Sequence, residues 1–451
     1  MSKSEQVYET VVQAILKEEW KPGDKLPSVR CMGSRLGVHR LTVLKAYQRL
    51  QEDGWIDVRT KSGFYVCEKS VETKKPYVES PSYKDDSILY QMSRALIAPD
   101  LLPNRHLSSD IKQLLDMEPR LLGTYSSTAG DLRLRESLAD YLLETSSFSV
   151  TADELLITSG AQQAIDLAAR AFVKPGDHVL IERPTYGPAI EAFQEQKATL
   201  HPVDFTESGY DMNQVEHLMR THQPVLFYIN PTFHNPTGFT LSAYQRKELV
   251  ELAEQYKCLL LEDDVCHDIY FDAPPPPPCF FYDTEGVVVY IRSFSKYISP
   301  GLRISVMMAR GDRIVKLLRI KAMTDNGSPL FNQAVFRHIF FTDRMQGHIA
   351  KLRIAMQLRK ACMEQQLEGS GLTWISPKGG LNLWVKLPPG WDVNMLIHHS
   401  LKASVSFLPG AICDPWDSST PYIRLSYSYL NEKQLAEGMK LLLHAGKMLQ
   451  P

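Results

Sequence analysis

The chain is 451 residues long, room for about three domains or for two with one of them large. Its 44% apolar and 23% charged residues are an ordinary globular balance, which excludes a wholly disordered chain, a coiled-coil rod and a small disulfide-stapled scaffold. Fifty Lys and Arg against 52 Asp and Glu leave a net charge of −2, which taken whole offers no support for a nucleic-acid partner.

The charge is divided unevenly. Residues 1–67 hold 11 basic and 8 acidic residues, and within 25–61 the count is 8 to 3. A locally basic N-terminal module therefore sits on an acidic body. The seven cysteines are scattered with no CxxC pair, so they read as reduced thiols, and no metal site is expected. No apolar run approaches the roughly 18–20 residues of a membrane span, and the first ten residues, MSKSEQVYET, are polar. A soluble cytoplasmic protein with no membrane partner is expected.

In chain order, Val7, Val11, Ile15 and Leu16 form an apolar stripe at helical spacing. Pro22 and Gly23 break the chain. Ser28 is placed to cap a short helix that runs to Leu36 and ends at Gly37. A second helix is expected over 40–53, burying Val43, Ala46, Tyr47 and Leu50, with Gly54 after it. Short strands are expected over 55–58 and 64–66, joined by Arg59-Thr60-Lys61-Ser62-Gly63. Three helices and a hairpin is the order of a winged helix-turn-helix. Residues 68–87, rich in Lys, Glu, Ser and Pro, have the composition of a linker.

Beyond the linker, apolar runs at 155–158, 178–182, 224–229, 258–263, 287–291 and 303–309 alternate with helical patterns at 161–173, 187–196, 211–220 and 242–256. That alternation predicts an α/β body with a mainly parallel sheet covered on both faces. From about 329 a long helical stretch, separated strands at 381–387 and 422–428, and a final helix near 431–448 predict a smaller α+β lobe. The five prolines in DAPPPPPCF (272–280) predict a stiff surface loop.

The segment GDKLPSVRCMGSRLGVHRLTVLKAYQRLQEDGWIDVRTKSGFYV (23–66) closely resembles the GntR-type winged helix. Ser28 and Arg30 stand near a helix N-terminus that favours phosphate. His39, Arg40 and Thr42 open the recognition helix, the end that meets base edges in such motifs. Lys45 and Arg49 follow on the same helix, against DNA backbone or in solvent. Lys61 and Gly63 belong to the wing. One departure is Cys31-Met32-Gly33, where the family usually carries a Leu-Ala pair; a mid-helix glycine costs about 1 kcal/mol relative to alanine.

The string SFSKYISPGLR (293–303) offers a lysine amine able to form a Schiff base, with Ser293 and Arg303 placed to hold a phosphate. It resembles fold-type I pyridoxal-phosphate aminotransferases, and further segments carry the same likeness. TSGAQQAID (158–166) presents Ser159, Gly160, Ala161 and Gln162 to a phosphate. RPTYGPA (183–189) supplies Tyr186, which in the family stacks on the pyridine ring. INPTFHNPTG (229–238) supplies Asn235 for the phenolic oxygen. EDD (262–264) supplies Asp263 for the pyridinium nitrogen. YIRLSYS (422–428) supplies Arg424, matching the arginine that clamps a substrate carboxylate. Tyr125 matches a tyrosine that reaches the neighbouring subunit's phosphate, implying a homodimer with shared sites. The likeness lapses after Asp263. The expected tyrosine is replaced by Val265, Cys266 and His267, which argues against efficient turnover; Cys266 or His267 either substitutes for it or packs behind the sheet.

In this order the modules resemble the MocR subfamily of transcriptional regulators: a winged helix over 1–67, a linker over 68–87, and an aminotransferase-like body over 88–451 with lobes at about 120–325 and 329–451. The resemblance implies a pyridoxal 5'-phosphate-dependent regulator of a double-stranded DNA operator. Lys296 would hold the cofactor as an aldimine, and an amino compound or the cofactor itself would be the effector. Lys296, Asp263 and Tyr186 would be the reacting group and its closest partners. The alternative is a catalytically active aminotransferase with an attached DNA-binding domain.

Overall fold

In the computed structural model the described residues are 3–16, 20–21, 23–52, 55–59, 62–67, 87–103, 106–146 and 148–449. The expected linker, Pro22, Gly54 and Lys61 lie outside them, apart from Ser87. The chain forms two compact units, Met1–Lys84 and Asp85–Pro451.

In the first unit, α1 (Lys3–Leu16), α2 (Val29–Leu36) and α3 (Arg40–Glu52) precede the antiparallel pair β1 (Ile56–Arg59) and β2 (Gly63–Val66). Ser28 caps α2 by accepting from the Cys31 amide, and Gly37 ends it in the left-handed region at φ 64°. Val7, Val11 and Ile15 of α1 meet Val43, Ala46, Tyr47 and Leu50 of α3 in one apolar cluster with Leu26, Met32 and Trp55. Gly33 is buried within it. A Cβ there would lie 2.9 Å from the Val38 carbonyl oxygen, so the glycine lets α2 close onto the turn before α3.

The second unit begins with β3 (Tyr90–Gln91), α4 (Leu107–Met117) and α5 (Leu132–Ser146). Next come β4 (Leu155–Thr158), α6 (Ala161–Phe172), β5 (His178–Arg183), α7 (Gly187–Glu195), β6 (Thr199–Asp204), α8 (Met212–His222), β7 (Leu226–Ile229), α9 (Ala243–Tyr256) and β8 (Leu259–Asp264). The large lobe is completed by α10 (Cys279–Tyr282), β9 (Val288–Ser293), β10 (Ser305–Met308) and α11 (Asp312–Thr324). Its seven strands lie in the order β4-β10-β9-β8-β7-β5-β6, with β10 alone antiparallel to its neighbours.

The inner strands are apolar on both faces because both are covered. Along β8, Leu259 and Leu261 join one cluster with α6 and α7, and Leu260 joins the other. The sheet edge β6 does not read as a strand in the sequence. Its TLHPVD contains a proline, and only Val203 is fully buried. The helix α11 is likewise additional to the expected pattern.

The later residues form α12 (Leu330–Phe340), α13 (Asp343–Leu367), β11 (Thr373–Trp374), β12 (Asn382–Lys386), α14 (Val393–Lys402), β13 (Val405–Ser406), β14 (Leu408–Pro409), β15 (Tyr422–Ser426) and α15 (Glu432–Lys447). A four-stranded antiparallel sheet runs β11-β12-β15-β14, and β13 pairs with β3 from the start of the unit. The five prolines lead into α10, whose first amides, from Cys279 and Phe280, donate to the buried carboxylate of Glu262. Among the described residues no helix is long and apolar enough to cross a membrane.

Candidate cofactor and effector site

The parallel strands all end at one edge of the large sheet, the place where open α/β sheets bind ligands. Thr158 of β4 leads to Ser159 and Gly160, Arg183 of β5 leads to Tyr186, and Ile229 of β7 leads to the Asn230–Asn235 loop. Asp263 sits near the end of β8, and Ser293 ends β9 just before the Lys296 turn. Arg303 precedes the antiparallel β10 and so returns to the same edge. Ser159 and Arg303, 144 positions apart in sequence, are thus brought together by topology alone.

Asp263 is buried, and Tyr228 donates to its Oδ2 at 2.8 Å. Its Oδ1 is buried with no hydrogen-bond partner. Burial pushes the carboxyl up to about 7, while the Tyr228 hydrogen bond and the Lys296 charge pull it down. Asn230 fixes the strand end from beside it, its amide donating to the Asp263 carbonyl and its Oδ1 accepting from the Asn235 backbone N–H. Asn235 is held in turn by Arg424, whose Nη1 donates to Asn235 Oδ1 at 2.8 Å and Nη2 to the Ser93 carbonyl at 2.7 Å. The Arg424 Nε is buried without a partner.

Arg303 crosses to the start of α6, where its Nη2 donates to the Ser159 carbonyl at 3.0 Å. Gly160 makes that approach possible: its φ is +91°, and a Cβ would fall 2.2 Å from Arg303 Nη2. Arg303 itself adopts φ 53°, a left-handed conformation that costs a non-glycine residue about 1–3 kcal/mol. The first N–H groups of α6, from Ala161 and Gln162, have no intrahelical partner, so a guanidinium and a helix N-terminus converge there. The Gln162 side chain turns away to the Pro188 carbonyl at 3.5 Å. Ser293 is buried and Lys296 is half-buried in the turn after it. Tyr186, half-buried, stands at the start of α7, and Tyr125 is 90% exposed.

The two residues considered in place of the missing tyrosine separate. His267 Nδ1 lies 2.6 Å from Asp264 Oδ2, in a buried polar network with Tyr290, Arg292, Asp268 and Tyr297 on the sheet face opposite to Asp263. Burial opposes charge on Asp264, but His267, Arg292 and Tyr290 hold its carboxyl below the ordinary range. Cys266 is buried. That raises its thiol, against the charges of Lys296 and Arg424, so Cys266 is the one near the gathered residues. Tyr270 stacks under the Arg353 guanidinium at 3.7 Å. Sequence reasoning missed Tyr228, Asn230 and Ser93. Tyr228 reads as one more apolar strand residue, and only its register beside Asp263 reveals it.

In the first unit Ser28, Arg30, His39, Arg40, Lys45 and Arg49 are exposed and Thr42 is half-buried. Arg30 lies in the first turn of α2, and His39 and Arg40 open α3. Arg49 lays its guanidinium on the Tyr8 ring of α1 at 4.8 Å. Gly63 takes φ +125° at the start of β2.

Residues 3–66 match the bacterial regulatory proteins of the gntR family, and residues 103–442 match aminotransferase class I and II. The Bacillus subtilis HTH-type transcriptional regulator YdfD is 31% identical across 97% of this chain and 95% of its own length. The chain belongs to the MocR-like GntR regulators. In such proteins a GntR helix-turn-helix is fused to an aminotransferase-like domain, and the GntR module carries DNA binding. The Escherichia coli regulator YdcR is 28% identical over 100% of this chain and 99% of its own. Among solved structures, LysN, the α-aminoadipate aminotransferase of Thermus thermophilus complexed with N-(5'-phosphopyridoxyl)-L-leucine, superposes with a TM-score of 0.75 at 30% identity. It covers 81% of this chain and 93% of its own. The Pyrococcus horikoshii kynurenine aminotransferase, in complex with PMP, scores 0.78 at 28% identity, covering 85% and 97%. The family and these complexes imply pyridoxal phosphate as the cofactor of this MocR-like chain. One unpaired buried atom fits such a group: Asp263 Oδ1 suits a ring N–H.

Proposed function

We propose that the body of this regulator binds pyridoxal phosphate at Lys296 and senses an amino compound there, changing the affinity of the winged helices for operator DNA. When bound, the cofactor supplies an aldehyde that condenses with amines and a ring that accepts electron density. The protein's own residues do the rest. Asp263, kept from water and steadied by Tyr228, holds a proton at the ring nitrogen through its unpaired Oδ1. Asn235, aligned by Arg424 and Asn230, would meet the phenolic oxygen. Tyr186 would lie against the ring. Ser159, Gly160, Ala161, Gln162, Ser293 and Arg303 would hold the phosphate, with the guanidinium as its charged anchor. Tyr125, exposed on the single chain, reaches the phosphate of a partner subunit in a homodimer. Arg424 Nε engages the carboxylate of the incoming compound.

The observation that carries this reading is the unpaired, buried Oδ1 of Asp263 at the Lys296 edge. Ser28, Arg30, His39, Arg40, Thr42, Lys45, Lys61 and Gly63 would meet DNA. Arg49 would meet it only by leaving Tyr8. For an effector to act, it must bind the DNA-competent and incompetent arrangements with different affinity.

A working aminotransferase is the second reading, favoured by the intact Asn235–Arg424 link and by a 2-aminoadipate transaminase of Thermus thermophilus at 30% identity over 78% of this chain. One experiment separates the two. A panel of amines is added to purified protein, and cofactor absorbance and DNA affinity are read in the same samples. A spectral shift that moves DNA affinity, without conversion to the pyridoxamine form, supports the sensor. Rapid conversion with no DNA effect supports the enzyme. Lys296→Ala with unchanged DNA binding and unchanged amine response would end the sensing role.

A further inference from the structure

At the other edge of the large sheet, His178, His201 and His222 converge, each offering a ring nitrogen within 4.8 Å of the others. His178 opens β5, His201 lies on the parallel β6, and His222 ends α8. His178 Nδ1 and His201 Nε2 are 2.8 Å apart, and the His201 and His222 rings stack with centroids at 3.8 Å. All three are half-buried. Strands β5 and β6 run away from them toward the Lys296 edge, so the six-residue span of β5 alone separates the triad from that site by roughly 17 Å.

We propose that this triad is a metal-binding site for one divalent first-row ion, zinc in the first instance, with nickel or copper(II) also suited. Three imidazoles and no thiolate or carboxylate form a donor set that favours these ions over magnesium or calcium. A tetrahedral ion about 2.0–2.1 Å from each nitrogen needs the nitrogens about 3.3 Å apart. The three ring nitrogens already lie within 4.8 Å of one another, with His178 and His201 at 2.8 Å. To face one ion, His178 and His201 would give up their mutual hydrogen bond and His222 would turn off the His201 ring, both by side-chain rotation. Water would take the fourth position.

A further feature favours a cation here: His222 lies at the C-terminal end of an 11-residue helix, where the dipole attracts positive charge. Bound metal would tie the edge strand β6 to β5 and α8. The alternative is a stacked, hydrogen-bonded histidine cluster with no ligand.

Equilibrium dialysis of the cofactor-loaded full chain against zinc alone tests the site, with melting temperature read in parallel. The expected result is one zinc equivalent per chain that is absent in His201→Gln and in His178→Gln, and a melting temperature raised by zinc only in the wild type. Cobalt(II) in place of zinc should give the visible absorption of a tetrahedral nitrogen site, abolished in the same variants. Failure of the wild type to bind zinc at micromolar concentrations overturns the proposal, whatever the variants do. Equal binding by wild type and folded variants overturns it too, because the metal is then held by other residues.

Discussion

Arg424 Nη1 donates to Asn235 Oδ1 at 2.8 Å, joining β15 of the small sheet to the loop that follows β7 of the large one. The arginine that would read an effector's carboxylate and the asparagine that would touch the cofactor's oxygen are therefore one unit. On the proposed reading, a carboxylate at the unpaired Nε would act on the same guanidinium that holds Asn235 and the Ser93 carbonyl.

Arg424→Ala is expected to remove the response to amino acids by at least about tenfold in apparent affinity while sparing amines that lack a carboxylate. It also strips Asn235 and the Ser93 carbonyl of a charged donor, each such bond being worth about 1.5–3 kcal/mol, so the melting temperature falls. Arg424→Lys keeps the charge without the fork and restores little. Titration of cofactor absorbance with paired amino acids and decarboxylated amines checks this. Equal losses for both classes would remove Arg424 from carboxylate reading.

The raised Asp263 carboxyl gives a pH signature. An unfolded chain releases this proton near the ordinary 3.8, whereas the buried group holds it to about 7. Between those values the folded state binds more protons, so its stability from this group falls as pH rises and is level outside the window. Asp263→Asn has no such proton. In cofactor-free protein the stability of Asp263→Asn relative to wild type should climb from about pH 4 to about pH 7 and then level off. Tyr228→Phe, which removes the donor to Oδ2, extends the climb upward. Chemical unfolding midpoints across pH measure it, and a difference flat with pH would contradict the assignment.

Gly160→Ala places a Cβ against Arg303 Nη2 and forces alanine into φ +91°. The guanidinium is the mobile partner, so it swings away from Ser159 and from the start of α6. The expected outcome is a cofactor affinity weakened tenfold or more with modest loss of fold stability, about 1–3 kcal/mol. Spectroscopic titration of cofactor into stripped protein checks it. Unchanged affinity would mean that Arg303 does not hold the phosphate.

The DNA face has a salt signature. Withdrawing one basic side chain from a duplex phosphate reduces the slope of log affinity against log salt by about 0.9. Arg30→Ala and Arg40→Ala, both exposed at helix starts, should each lower it by about 0.9 per winged helix, or about 1.8 for a homodimer with both engaged. Arg49→Ala should change it little, because Arg49 is spent on Tyr8. Operator titrations over a salt series decide between them.

How much was legible follows from where the signal lies. SFSKYISPGLR and INPTFHNPTG are contiguous strings, so Lys296, Arg303 and Asn235 could be named from sequence, and the caps Ser28 and Gly37 follow from local rules that the structure meets. Partners made by register could not be named. Tyr228 meets Asp263 only because β7 and β8 are adjacent and parallel. Tyr90 pairs with Val405 across more than three hundred residues with no pattern to announce it. His178, His201 and His222 carry no ligand spacing, because two strands and a helix assemble them. The strand β6 hides because an edge is half in water and loses the apolar run that marks its neighbours.

Gly33 reads in sequence as a weak point, a mid-helix glycine in a family that usually has Leu-Ala nearby. The structure reverses that reading. Alanine would gain about 1 kcal/mol of helix propensity, but its Cβ meets the Val38 carbonyl oxygen at 2.9 Å, and that atom belongs to the backbone of the tight turn between α2 and α3. The turn is pinned from the other side by the Val38 amide on the Gly33 carbonyl at 3.0 Å, so it cannot yield without tilting the recognition helix. Overpacking of this kind costs about 1–3 kcal/mol, which exceeds the propensity gain. Gly33→Ala should therefore destabilise the winged helix and weaken operator binding, whereas Ser34→Ala, exposed one position on, should be neutral or mildly stabilising. Melting curves and operator titrations of the two variants side by side measure the sign, and a more stable Gly33→Ala protein would show that propensity outweighs the clash.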